Sequence, residues 1–510
     1  MPDLLLAQSY YLRFDPKLWE AMQPYPPLGT LYAASYARSN GYSVALFDSM
    51  LAESENEWAS ALDQHKPKYA VIFEDNFNYL SKMCLSRMRQ AAFTMVGMAK
   101  ARGCAVILCG ADATDHRDLY LQHGADYVLL GEGEITLVEL LDSLEGKSKQ
   151  PLERILGLAF KDQTSNSNLQ SPIPNSQLLI TSPRSDIKDL DSLPFPAWDL
   201  VDVPRYKKLW RERRGYYSMN MVTTRGCPYH CNWCAKPIWG QRYNSRSPEN
   251  VVREMKWLKE NFAPDHIWFA DDIMGLKPDW LERFAELIRE HDALISYKCL
   301  QRADLITEKT AKALADSGCK TVWLGAESGS QKILDAMDKG DKVQDIYDAA
   351  RLLHQHNIQA GFFLQFGYPG ETWDDIQLTL KMVRECQPDD IGISVSYPLP
   401  GTKFYERVKM ELGEKQNWID SDDLAVLYHA PYPQEFYRAL HSRVHYEFRL
   451  RRTLNNLTGL RDLSGLARKL IGVPKNLFGM IRTDMKLRRL AAVETAPTKA
   501  RSRPTATITR

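Results

Sequence analysis

Residues 223–237 read TTRGCPYHCNWCAKP and set Cys227, Cys231 and Cys234 in a C-x3-C-x2-C spacing. A structural zinc ion would want four ligands and a closed shell, and no fourth cysteine lies nearby in the sequence. His230 adjoins Cys231, so the two side chains could hardly turn toward one metal. An iron–sulfur cube held by three thiolates instead keeps one iron open to a small molecule. The spacing therefore predicts a 4Fe-4S cluster on Cys227, Cys231 and Cys234. The other cysteines (Cys84, Cys104, Cys109, Cys299, Cys319 and Cys386) stand in apolar or strand-like surroundings and read as buried thiols.

Outward from this loop, strand-like runs at 221–224, 266–270, 294–299, 321–324, 359–366 and 390–395 alternate with helix-like segments such as 251–261, 280–290 and 374–386. Six βα units predict a partial barrel, whose chemistry gathers at the carboxyl ends of its strands. Toward the amino terminus, runs at 3–7, 43–47, 69–74, 105–109 and 127–130 alternate with helical patterns in the same way. They predict a doubly wound parallel sheet that binds ligands in the turns after its strands, such as Gly110-Ala111-Asp112 and Gly131-Glu132-Gly133-Glu134. Ser, Asn, Gln, Pro and Asp clusters mark a connecting stretch between the two series.

The chain has 510 residues, enough for several domains, with 44% hydrophobic and 25% charged residues. No apolar run approaches the roughly 18 residues of a membrane span. Residues 1–8 lack the basic opening of a secretory signal, so a cytoplasmic location is expected. The net charge is +1, yet residues 430–510 carry 17 Lys and Arg against 5 Asp and Glu, a basic appendage on an acidic body. That acidic body argues against binding a nucleic-acid backbone.

The cysteine motif and the six-unit pattern resemble the radical S-adenosylmethionine superfamily. The resemblance implies that the open iron chelates S-adenosylmethionine, which is cleaved by one electron to give a 5′-deoxyadenosyl radical. It also implies roles for further residues. Trp233 matches the aromatic position beside the adenine. Asp272, in FADDIMG (269–275), would contact the cofactor or substrate, although helix capping by the Asp271–Asp272 pair is a rival reading. Arg302, in RADLI (302–306), would meet the methionine carboxylate, with a surface ion pair as its rival. Glu327, in GAESGS (325–330), matches the acidic residue that holds the ribose hydroxyls. The loops FGYPGET (366–372) and YPLPGT (397–402) would shape the cavity, and no residue is singled out as an acid or base.

The amino-terminal series is similar to the cobalamin-binding domain often fused before such a barrel. Its matching pieces are YPPLG (25–29), the turn and strand from Gly41 to Asp48, GADAT (110–114) and GEGE (131–134), so Gly29, Gly110, Ala111, Gly131, Glu132 and Gly133 are expected to cradle cobalamin. The D-x-H-x-x-G signature that ligates cobalt in some cobalamin proteins is missing. Asp63-Gln64-His65 comes closest, but Lys68 stands where Gly is required.

The expected α/β architecture is thus a Rossmann-like cobalamin-binding domain (1–146), a linker (147–205), a (βα)6 partial TIM barrel (206–410), a mostly helical domain (411–490) and a disordered basic tail (491–510). Leu463, Leu466, Leu470, Leu477, Ile481 and Met485 recur at helical spacing among cations, a pattern that fits peripheral contact with an anionic membrane or packing on the barrel. The resemblance implies a methyltransferase acting on an unactivated carbon of a small-molecule or lipid-like substrate, fed by an electron donor such as flavodoxin or ferredoxin. The alternatives are an oxidative cyclase of the anaerobic porphyrin-ester type and a non-catalytic metal-binding adaptor.

Overall fold

The computed structural model describes residues 1–83, 85–161, 178–234, 238–413, 417–455 and 463–494. Its first sheet contains β1 (Leu4–Ala7), β2 (Val44–Phe47), β3 (Tyr69–Phe73), β4 (Ala105–Cys109), β5 (Tyr127–Leu129), β6 (Leu158–Lys161) and β7 (Leu178–Ile180). The order is β2-β1-β3-β4-β5-β6-β7, with β1 to β5 parallel and the last two antiparallel. All residues of β1 and β3 are buried, as parallel strands covered on both faces require. One apolar layer holds Leu5, Ile72 and Val106 on one face, and another holds Leu6, Val71 and Ile107 on the other.

The sequence reading missed β6 and β7. They lie inside the stretch read as connecting, where each apolar run is only three or four residues long and carries no clear period. The disordered tail expected at 491–510 falls mainly on 495–510, which lie outside the described residues, as do Cys84 and the side chains of Leu463, Leu466 and Leu470.

The second sheet is built from β8 (Ser218–Met221), then, after the short antiparallel pair β9 (Thr224–Arg225) and β10 (Asn244–Ser245), β11 (His266–Phe269), β12 (Ser296–Gln301), β13 (Cys319–Glu327), β14 (Gln359–Phe366) and β15 (Asp390–Val395). Its six parallel strands follow the order β15-β14-β13-β12-β11-β8, the open half-barrel that six βα units predict. The first of them ends earlier than the sequence suggested. The Thr223 and Thr224 N–H groups donate to Asp271 at 2.7 and 2.8 Å instead of continuing the ladder.

Local chemistry sets the helix ends. Ser247 caps Pro248–Phe262 with Pro248 in the first turn, and Thr372 and Asp375 form a reciprocal capping box on Trp373–Cys386. Along β12, Tyr297, Cys299 and Gln301 are buried, whereas Ser296, Lys298 and Leu300 on the opposite face are only half-buried. The barrel lumen therefore stays partly open. The last helices, Gln434–Asn455 and Leu463–Glu494, pack against each other, while the described residues from 417 to 433 form no helix or strand. Among the described residues, no helix is long and apolar enough to cross a membrane.

The two sheets are joined through buried polar contacts. Trp210 Nε1 donates to Pro24 O at 2.7 Å and Asn220 Nδ2 to Pro26 O at 3.0 Å, so the YPPLG segment lies against the barrel's first strand. Arg225 pairs with Glu132 at 2.9 Å and with Glu134 at 2.6 Å, and the three side chains are at most 7% exposed. Changing Arg225→Met strands two buried carboxylates and is expected to cost about 3–5 kcal/mol. A lower urea midpoint, partly recovered by adding Glu134→Gln, is the expected result; an unchanged midpoint would remove the coupling.

Beyond β14, Glu371 accepts from the Gly367 N–H at 2.6 Å, while its other carboxylate oxygen is buried without a partner. Burial pushes its carboxyl from the usual 4.5 up to about 8. A carboxyl raised on folding binds a proton more tightly in the folded chain, so its contribution to stability is lost as pH rises through that interval. Glu371→Gln should make the drop in urea midpoint between pH 6.5 and 8, roughly its titration range, measurably shallower.

Candidate cluster and S-adenosylmethionine site

The cysteine loop leaves the carboxyl end of β8 and is fixed at both ends. At its start, Asp271 accepts from the Thr223 and Thr224 N–H groups and, at 2.7 Å, from Thr223 Oγ1. Burial nevertheless pushes the Asp271 carboxyl up to about 6. Gly226 has φ +81°, and a Cβ there would run into the Arg242 carbonyl, so only glycine fits. Further along, Asn232 binds the end of the helix Gln331–Ala336, which follows β13, and the loop after β14. Its N–H donates to Met337 O at 2.9 Å, its Nδ2 to Ala336 O at 2.8 Å, and its Oδ1 accepts from the Tyr368 hydroxyl at 2.8 Å.

Cys231 is buried, and Cys227 and Cys234 are half-buried. The Arg302 guanidinium lies 3.9 Å from Cys231 Sγ, stacks 3.7 Å over the Tyr229 ring and pairs with Asp304 and Asp341. At 6% exposure Arg302 belongs to the interior, so the surface-pair reading does not describe it. Glu327 ends β13 with φ +55°, in the left-handed region, and its carboxylate faces Lys339 Nζ at 3.5 Å. Burial raises the Glu327 pKa, opposed by the Lys339 charge. Trp233 packs against the apolar cluster that contains Ile333, Met337 and Tyr368, and its buried Nε1 has no partner among the described residues. Asp272 is half-buried next to Asp271; neither caps a helix, because the next helix begins at Trp280 behind Asp279.

Among the described residues, no group of three or more His, Cys, Asp or Glu has the geometry to hold a metal ion. A cube differs from a single ion in that each thiolate takes its own iron, so its ligands need not converge on one point. The donor set fits: three thiols on one loop, one of them beside a cation. Polar atoms near the strand ends fit a polar ligand as well, since among the described residues Gln301 Oε1 and Gln365 Oε1 are buried without partners, as is Asp341 Oδ2 between the helices Gln331–Ala336 and Val343–Gln355.

At the carboxyl end of the first sheet, the nominated residues divide. Gly131 has φ +85° and open space where a Cβ would stand. Gly110 and Gly133 are required by packing, because a Cβ would press on Glu74 at 2.7 Å in one case and on Cys109 and Phe73 in the other. Ala111 is 1% exposed, and the Gly29 N–H donates to Asp75 Oδ1 at 2.9 Å, so neither offers a free surface. Glu132 is engaged by Arg225. Both polar atoms of Gln8, together with Asn76 Oδ1, Thr114 Oγ1 and Glu134 Oε2, are buried and unpartnered after β1, β3, β4 and β5. This crevice therefore suits a polar group.

Tyr79 had no motif to mark it. It keeps 60% of its surface open, yet the surrounding protein and the charges of Glu327 and Cys234 raise its pKa. It lines a cavity of about 290 Å³ between the two sheets, together with Leu18, Met83, Ser394 and Trp418.

Comparisons agree with this geometry. Residues 221–383 match the sequence model of the radical SAM superfamily. The chain is 28% identical, over 388 residues, to an uncharacterized methyltransferase of Pyrococcus horikoshii, covering 75% of this chain and 78% of that one. It is 24% identical, over 415 residues, to an anaerobic magnesium-protoporphyrin IX monomethyl ester cyclase of Synechocystis, covering 80% and 78%. Its fold superposes on OxsB, a cobalamin-dependent S-adenosylmethionine radical enzyme whose structure holds aqua-cobalamin and S-adenosylmethionine. The TM-score is 0.70 at 14% identity, covering 97% of this chain and 75% of that one. The superfamily works with a 4Fe-4S cluster and S-adenosylmethionine, and the cysteine loop, the half-barrel and the sequence match together make residues 221–383 a radical SAM domain.

Proposed function

We propose that the chain is a cobalamin-dependent radical SAM methyltransferase acting on an unactivated carbon of a small or lipid-like molecule. The observation that carries this reading is the Arg225 ion cluster. It ties the residue two positions before Cys227 to the loop after β5, so that the strand ends suited to the two cofactors open toward each other. The named methyltransferase and the cobalamin-bound fold relative support it.

In this reading Cys227, Cys231 and Cys234 hold the cluster as thiolates, with the Arg302 guanidinium 3.9 Å from Cys231 Sγ. Trp233, Asp272, Arg302 and Glu327 orient S-adenosylmethionine, with the buried polar atoms of the strand ends completing its hydrogen bonds. Gly131 offers open backbone to cobalamin, while Gly29, Gly110, Ala111, Glu132 and Gly133 shape the crevice from behind. The cobalt takes no ligand from His65, which ends the helix Asn56–His65 ahead of β3. When bound, the reduced cluster supplies the electron that splits S-adenosylmethionine, and cobalamin carries the methyl group. The chain's own part is to orient these groups and exclude water. A flavodoxin or ferredoxin in the cytoplasm supplies the electron.

Anaerobic protein reconstituted with iron, sulfide and cobalamin should release 5′-deoxyadenosine together with S-adenosylhomocysteine, and Cys231→Ala protein should release neither. Glu327→Gln should weaken S-adenosylmethionine binding roughly tenfold or more, the loss of a charge-assisted hydrogen bond. The cyclase relative favours a second reading, in which 5′-deoxyadenosine forms without S-adenosylhomocysteine. Protein that binds zinc and leaves S-adenosylmethionine intact would support the adaptor reading instead.

Peripheral membrane contact belongs to the same proposal. On the last helix, Leu477, Phe478, Ile481 and Met485 are 43 to 68% exposed, with Lys475, Arg482, Lys486 and Arg489 among them. Vesicles containing phosphatidylglycerol should retain the protein, and Phe478→Ser/Ile481→Ser should release it. Equal retention of both proteins would count against the contact.

A further inference from the structure

The half-barrel leaves one face of its sheet uncovered, and the strand register states which residues share that face. Trp268, Lys298 and Thr321 stand side by side on β11, β12 and β13. One rung further on come Leu300, Trp323 and Gly361, and beyond them Gly325, Phe363 and Gly392. Phe363 is 36% exposed although β14 lies between two other strands, so the surface it leaves open is turned to the lumen.

The aromatic rings lie flat along this face because two strand positions are glycine. A Cβ at Gly361 would stand 2.6 Å from the Trp323 ring, and one at Gly392 would stand 3.0 Å from the Phe363 ring. Glycine inside a strand marks such a close approach. Trp323 and Phe363 then stack with centroids 4.6 Å apart and planes 24° from parallel, forming one side of a slot.

Lys298 stands on the strand beside Trp323, one rung before it on the same face, and has no anionic partner among the described residues. Among the described residues its Nζ makes no hydrogen bond or ion pair; its near neighbours are the Trp268 ring at 4.5 Å and the Tyr25 ring at 5.9 Å. His266, on the same face, is linked to Ser218 Oγ at 2.9 Å, and burial together with Lys298 lowers its pKa to about 3, so it carries no charge at neutral pH. Asp390 and Arg214 act on Lys298 from farther away with opposite signs. Burial lowers the lysine to about 8, so the ammonium form still predominates at neutral pH. The two rings leave the hydrogen-bond donors of the ammonium group unpaired and open to an anionic oxygen.

We infer that the barrel lumen binds a flat, largely apolar molecule bearing one anionic oxygen group, with Lys298 receiving the charge and the Trp323–Phe363 pair receiving the flat part. This rests on the reading of the barrel as the seat of the enzyme's substrate, and it adds the substrate's class.

The test uses the full chain, reconstituted anaerobically, in equilibrium dialysis against 1-naphthoate, 1-naphthyl phosphate and the neutral 1-naphthamide. At least one anion should bind about tenfold or more tighter than the amide, the scale of one charge-assisted hydrogen bond. The tighter of the two identifies the class as carboxylate or phosphate. Lys298→Met should abolish the preference and Lys298→Arg should keep it. Equal binding of all three ligands, or a preference that survives Lys298→Met, overturns the inference. S-adenosylmethionine cleavage is measured in the same samples. Cleavage without ligand preference removes the pocket alone, whereas preference without cleavage keeps the pocket and removes the proposed function.

Discussion

A guanidinium shut between two carboxylates holds the molecule's two halves in register. Arg225 and its partners Glu132 and Glu134 are almost wholly withdrawn from water, where charge interactions are far stronger than at a surface. Burial disfavours the charged form of Glu132, and the Arg225 charge opposes that shift. Such a group stabilises one arrangement strongly because every alternative leaves a charge stranded. Its position gives it consequence: Arg225 stands two residues before Cys227, and its partners close the loop after β5. The carboxyl ends of the two sheets therefore cannot drift apart without breaking it.

Around this point the cysteine loop is held by neutral and ionised oxygens rather than by regular structure. Asp271 takes up two backbone N–H groups that the ended strand leaves free, and Asn232 connects the middle of the loop to the turn after the helix Gln331–Ala336. Glu327 reaches its place through a left-handed backbone conformation at a register shift in β13. Conformations of this kind persist where the surroundings overdetermine them, and here Lys339 and the neighbouring strands do so. The opposite face of the same sheet is less filled, and its aromatic rings and lone ammonium border space rather than core.

Much of this was legible in the chain. The alternation of strand and helix patterns gave both sheets, and C-x3-C-x2-C marked the three-thiol loop after a strand. Arg302 and Glu327 were found through motif resemblance, and the structure brings them near Cys231 and Lys339 respectively. β6 and β7 were missed because runs of three or four residues hold too little period to detect. The glycines after β4 and β5 could be seen, but not which of them serves packing. Gly133 yields room to Cys109 and Phe73, whereas Gly131 yields it to nothing in the chain. Tyr79, Asn232 and Lys298 carry no spacing signal, and their meaning comes from neighbours distant in sequence.

The sequence by itself determined the periodic elements, the three-thiol loop and the basic last helices, because these depend on residues a few positions apart. Only the tertiary structure decided that Arg225 would meet Glu132 across 93 residues, that Arg302 would be an interior cation, and that Lys298 would face a half-open lumen. Local pattern governs which backbone shape is favoured, but burial, charge pairing and leftover space arise when distant segments exclude water together, and no short stretch of sequence records them.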